Sequence, residues 1–293
     1  MGGTLYSHVN RTKRATTKGY HTKSREEVFS QRQIHPDMNP KGVKLREARD
    51  SEAHPNSIPV IIAMDVTASM GRIPHQLVKD GLPKIISTII ESGIPDPQIM
   101  FMAIGDHRCD SAPLQISQFE SGDEELDMWL TNVYLEGGGG GNGGESYSLA
   151  HYFANSVCVS DNWEKRNKKG YIFTIGDEAN HDHYPANRLE RIFGKSVEAF
   201  DSNSQLELAK EKWNVFHIVP GNANYNEQGY WKKFLGENAL YLETSQEVDT
   251  AIATTVVNNE LKTDNETVTH VEDIKEESSD DSKSESNDPK ITL

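Results

Sequence analysis

Pro59-Val60-Ile61-Ile62-Ala63-Met64-Asp65-Val66-Thr67-Ala68-Ser69 is the stretch on which the reading of this chain turns. From Pro59 to Met64 every residue is apolar, the pattern of a strand buried on both faces, and the run stops at a carboxylate, Asp65. Beyond it Leu77, Val78, Leu82, Ile85, Ile86, Ile89 and Ile90 recur at helical spacing until Gly93-Ile94-Pro95, with Pro83 expected to kink the helix. The same alternation then repeats. Ile99 to Ile104 ends at Gly105-Asp106, Leu114 to Phe119 alternates, and a helix is expected near Glu124 to Asn132. A glycine-rich run, 137–144, leads into a helix from about Glu145 to Val157. Tyr171 to Ile175 ends at Gly176-Asp177 and Val215 to Val219 ends at Pro220. Ala239 to Leu242 reads as a last strand and Gln246 to Val257 as a last helix. Strands alternating with helices predict an α/β fold: a doubly wound, mostly parallel, Rossmann-like sheet flanked by helices. Ligands in such folds bind outside the carboxyl ends of the strands, so Asp65, Asp106 and Asp177 fall together on the functional edge.

Composition sets the limits around this unit. With 293 residues the chain can bury a core without disulfides or structural metals. Its 30 Lys+Arg against 45 Asp+Glu give a net charge of -15, which repels phosphate backbones and anionic lipid and leads to the expectation of no nucleic-acid and no membrane partner. Two cysteines, Cys109 and Cys158, are too few for a disulfide scaffold or a four-cysteine zinc site. No apolar run reaches the roughly 18 residues of a membrane span. Met1-Gly2-Gly3-Thr4 opens on a polar stretch, and the resulting expectation is a protein without a secretory signal, in the cytoplasm. Three segments are expected: a basic, polar N-terminal extension over 1–57, read as an arm or a partly packed extension; the α/β domain over 58–258; and a disordered acidic tail over 259–293.

Asp65, Thr67 and Ser69 place a carboxylate and two hydroxyls at alternate positions of a strand-end turn. Such hard oxygen ligands suit Mg2+, Mn2+ or Ca2+ rather than zinc. The spacing resembles the Asp-x-Ser-x-Ser opening of the von Willebrand factor A (vWA) domain, with Thr67 in place of one serine. The resemblance covers about residues 58–258. It implies a metal-ion-dependent adhesion site (MIDAS), with Asp177 as its distal aspartate and Asn142 or Glu145 where the family has a threonine. It further implies a binding module that engages a protein partner through a carboxylate. Pro113 to Glu120, Gly143 to Tyr147 and Gly176 to Glu178 look like those of a prokaryotic or viral branch of the family. Glu145 has two readings here: a carboxylate facing the ion, which would act as a brake on an acidic partner, or a charge at the start of the following helix.

Other chemistries fit less well. A haloacid-dehalogenase site needs a second aspartate where this chain has Thr67, and a phosphate-cradling loop closes on Gly-Lys-Ser/Thr rather than Gly144-Glu145-Ser146. His181 and His183 could ligate zinc with Asp177, against a solvated turn, and Asp106, His107 and Asp110 could form a further metal cluster, against an ordinary acidic loop. A metal-dependent hydrolase using Asp106, Asp177, Glu178 and the histidines is the rival function, with a structural assembly protein of a virus as a third. The oligomeric state is not legible in the sequence.

Overall fold

The computed structural model describes residues 6–70, 73–94, 96–136, 143–221 and 225–262. Its centre is a six-stranded sheet of β1 (Ile58–Asp65), β2 (Pro97–Ile104), β3 (Leu114–Ile116), β4 (Gly170–Ile175), β5 (Trp213–Val219) and β6 (Ala239–Tyr241). The strand order is β6-β5-β4-β1-β2-β3, parallel except for β3, so the chain winds outward from β1 in both directions. This is the doubly wound arrangement expected, and it puts the topological switch point beside β1. Asp65 is level with Ile104, and Met64 with Ile175, so the carboxyl ends of β1, β2 and β4 form one edge.

Every residue of β1 and β2 is buried, and their alternate side chains serve two cores. Val60, Ile62 and Met64 join the core on one face, and Ile61 and Ala63 join that on the other. The longer helices are α1 (His8–Lys18), α2 (Leu82–Glu91), α3 (Asp123–Thr131), α4 (Ser148–Val157), α5 (Ala186–Phe193), α6 (Ser202–Lys212), α7 (Tyr225–Leu235) and α8 (248–262). The first face is covered by α2, α3 and α8, through residues such as Ile85, Ile89, Leu126, Ile252 and Val256. The second is covered by α4 to α7, through Phe153, Leu189, Leu206 and Trp231 among others.

Pro83 interrupts the regularity of one continuous helical run over 73–91. It falls in the first turn of α2, directly after a π-turn over Leu77–Gly81, and its missing N–H costs the run one regular helical bond. Helix α4 begins at Ser148, later than expected, because residues 145–146 are drawn into backbone bonds with the neighbouring loops.

The N-terminal segment packs on the first face through α1. Arg11 and Ala15, one turn apart, are its buried residues. Arg11 Nη2 lies 3.4 Å from Asp127 Oδ1, while Lys18 Nζ and the Tyr20 hydroxyl donate to Asp127 Oδ2 at 2.8 and 2.7 Å. Arg46–Ala48 then adds a short parallel pairing with Cys158–Ser160. At the other end α8 crosses the boundary placed between 258 and 259. Glu260 is buried and accepts a hydrogen bond from the Tyr171 hydroxyl at 2.6 Å. The acidic tail beyond it, 263–293, lies outside the described residues. Among the described residues no helix is long and apolar enough to cross a membrane.

Candidate metal centre

Asp65 is the last residue of β1 and has no exposed surface. Its Oδ1 accepts from both the backbone N–H and the hydroxyl of Thr67, each at 2.7 Å, which closes the strand-end turn and fixes the carboxylate plane. A 3-10 turn over Ala68–Met70 follows and carries Ser69 past the strand end. Oδ2 of Asp65 accepts from the Tyr147 hydroxyl at 3.3 Å. Tyr147 is itself fully buried, edge-on to His217 and Trp231 at 5.0 and 5.3 Å. His217 is anchored by Thr174 Oγ1 at 2.8 Å and by the carbonyl of Gly176 at 3.2 Å. A side chain at position 176 would collide with the Tyr147 hydroxyl, so the glycine before Asp177 is what lets the phenol reach Asp65.

Glu145 reaches the same edge from the segment ahead of α4. Its N–H donates to the carbonyl of Ala179 at 2.8 Å and its carbonyl accepts from His181 N–H at 3.0 Å, so it is pinned beside the loop that carries Asp177. The side chain is buried and Oε2 has no hydrogen-bond partner. Burial, reinforced by the negative charges of Asp65, Asp110, Asp106 and Glu178, pushes the Glu145 carboxyl up to about 10. Burial likewise pushes Asp65 up to about 7, with the charge of Asp177 adding to it and the Thr67 hydrogen bonds opposing it. Helix α4 is not capped by Glu145: its first N–H, on Ser148, is satisfied by Asn180 Oδ1 and the Tyr184 hydroxyl, both at 3.2 Å. Asp177 and Glu178 are half-buried in the loop after β4. Asn142, the other residue expected in place of the family's threonine, lies outside the described residues.

An orphaned carboxylate oxygen and two buried carboxyls raised well above their ordinary range are groups that lack a compensating positive charge. The Thr67 hydroxyl commits its proton to Asp65, which leaves its oxygen to act toward any ion as a neutral donor rather than a charge.

The histidines divide differently from the sequence expectation. His181 is buried rather than solvated, and its Nε2 lies 2.8 Å from Asp106 Oδ1, whereas Asp182 and His183 are exposed. His107 is buried beside them and pushed down to about 4, first by burial and then by the charge of His181. Asp110 does not join Asp106 and His107 as a third ligand; its Oδ2 instead accepts from Asp106 N–H at 2.7 Å. Trp231 and Phe234 belong to the packing behind the edge: Trp231 is fully buried, lies against Phe234 and donates from Nε1 to the Glu178 carbonyl at 3.0 Å. The sequence gives Tyr147 no role of its own and gathers His181 and Asp106 only as members of the rival hydrolase, not as a bonded pair. The motif Gly144-Glu145-Ser146-Tyr147 held the only local signal for the first, and nothing local signals the second.

No protein-family model matches the chain, and no curated protein matches it in sequence. Among solved structures it overlays on the pilus adhesin SpaC of Lactobacillus rhamnosus GG with a TM-score of 0.48 and 9% identity, over 75% of this chain and 32% of the adhesin. It also overlays on proximal thread matrix protein 1 of the mussel byssus, in a structure with a zinc-occupied MIDAS motif. The TM-score there is 0.45 and the identity 12%, over 69% of this chain and 47% of the matrix protein. The chain thus spans less than half the length of either.

Proposed function

We propose that the chain is a vWA-like binding module whose sheet edge holds one hard divalent cation, Mg2+ or its close substitutes Mn2+ and Ca2+, and through it a carboxylate of a protein partner. The ligands in this reading are Asp65, Thr67, Ser69 and Asp177, with Glu145 or Asn142 in the place of the family's threonine. The observation that carries it is the pair of buried carboxyls Asp65 and Glu145, each raised by burial and by other acids, with Glu145 Oε2 unpartnered. A bound cation supplies the missing positive charge and a Lewis-acid position for an incoming carboxylate. The residues do the rest: Thr67 and Tyr147 orient Asp65, and Gly176 leaves room for the phenol.

Glu145 decides how strongly such a partner is held. Together with Asp65 and Asp177 it would leave the loaded site net negative, so an acidic ligand binds only when Glu145 is protonated or turned aside. Calorimetric titration of the Mg2+-loaded full chain with a short acidic peptide tests the module. Binding that disappears with EDTA supports it, and equal binding with and without EDTA refutes it.

A further inference from the structure

Asp106 and His107 lie in the loop after β2, and His181 lies in the loop after β4, on either side of the β1 end. One ligand atom from each comes within 4.8 Å of the other two, and all three side chains are buried. Asp106 is oriented by the loop: its Oδ1 accepts from Arg108 N–H at 2.8 Å and from the His181 ring at 2.8 Å. The His107 ring is held by Ser146 Oγ on Nδ1 at 2.8 Å and stacks on Tyr184 with centroids 4.7 Å apart. Its Nε2 is buried with no hydrogen-bond partner. Gly144 makes room for the third member, since a Cβ there would lie 2.8 Å from Cε1 and Nδ1 of His181.

We propose that Asp106, His107 and His181 form a second metal site, selective for a borderline ion of the zinc class. Two imidazoles and one carboxylate are the donors that hold Zn2+ or Co2+ in preference to Mg2+, which takes oxygen. Ligand atoms around a tetrahedral zinc sit roughly 3.3 Å apart, and His107 Nδ1 lies 4.0 Å from Asp106 Oδ1, so the cluster closes by side-chain rotation, with His107 exchanging its Ser146 contact for the ion. In the metal-free protein the hydrogen bond between His181 and Asp106 keeps the pair together, and the ion takes the place of its proton. Three protein ligands leave a fourth position. His107 also lines a cavity of about 320 Å³ with Asp110 and with three cations, Lys41, Arg188 and Arg191, so the cavity side suits water or an anionic group. This site shares no ligand with the hard-cation site and does not rest on it.

The test is metal analysis of the full chain after exposure to Zn2+ in excess Mg2+, followed by dialysis, with X-ray absorption at the zinc edge. One equivalent of zinc per chain in a shell with imidazole scattering is expected. Affinity should fall at least tenfold in His107→Ala and His181→Ala and stay unchanged in His183→Ala. Wild-type chain that retains no stoichiometric zinc, or holds it in an all-oxygen or sulfur shell, overturns the site. So does undiminished affinity in His181→Ala. The wild-type spectrum decides the matter even where an alanine variant fails to fold.

Discussion

The phenol of Tyr147 donates to Asp65 Oδ2 at 3.3 Å through a space that exists because residue 176 is glycine. Two buried groups on different elements are thereby fitted to one another. Gly176→Ala forces the phenol aside and is expected to cost about 1–3 kcal/mol as overpacking. Tyr147→Phe loses one hydrogen bond, about 0.5–1.5 kcal/mol. Combining them should cost less than the sum, because the nearest clash is with the missing oxygen, while those with the ring carbons Cζ and Cε1 remain. Thermal melts of the four proteins measure this, and strict additivity would count against the fit.

The two raised carboxyls give the metal-free protein a pH dependence of definite sign. Asp65 and Glu145 titrate from 3.8 and 4.5 in the unfolded chain to about 7 and about 10 in the fold, so the fold holds their protons longer. Their contribution is greatest at acid pH and is lost as pH rises through those folded values. Melting temperature of the metal-free chain should therefore drift down from about pH 5 to about pH 9, relative to a Glu145→Gln variant. Mg2+ competes with those protons, so the stabilisation it confers should widen over the same range. A gap between loaded and metal-free melts that does not change with pH contradicts this account.

Glu145→Gln keeps the shape of the side chain and removes its charge. The expectation is weaker Mg2+ binding but stronger Mg2+-dependent binding of an acidic peptide, about tenfold in each direction if the lost charge is worth about 1.4 kcal/mol. Paired calorimetric titrations read both, and weaker peptide binding in the variant would remove Glu145 as a brake.

Asp127 is the anchor of the N-terminal helix. Asp127→Ala removes the carboxylate that faces the guanidinium of Arg11, which is 1% exposed, and should cost about 3–5 kcal/mol in chemical denaturation. A change under about 1 kcal/mol would show that the pair behaves as a surface ion pair instead.

How much of this was legible follows from where each signal resides. Pro59 to Met64 shows its burial because every residue faces one of two cores, and the strand-end aspartates follow from the parallel topology. Helix α5 carries local signals: Pro185 before it, Gly194 at a φ of 66° after it, and Leu189, Ile192 and Phe193 between. Helix α1 is marked only at its ends, by Ser7 accepting from Asn10 N–H and by Gly19 at a φ of 70°, since its buried residues are Arg11 and Ala15 and it has no apolar period. His181 meets Asp106 across 75 residues, a meeting that depends on β1 lying between β2 and β4. Such a contact belongs to the strand order and has no local sequence pattern.

The most direct test of the central claim is Mg2+ titration of the full chain against Asp65→Asn, which keeps an acceptor for Thr67 while removing the charge. The account predicts about one Mg2+ per chain for the wild type and at least tenfold weaker binding in the variant, with a melting temperature that does not fall. Unaltered Mg2+ affinity in Asp65→Asn would contradict it.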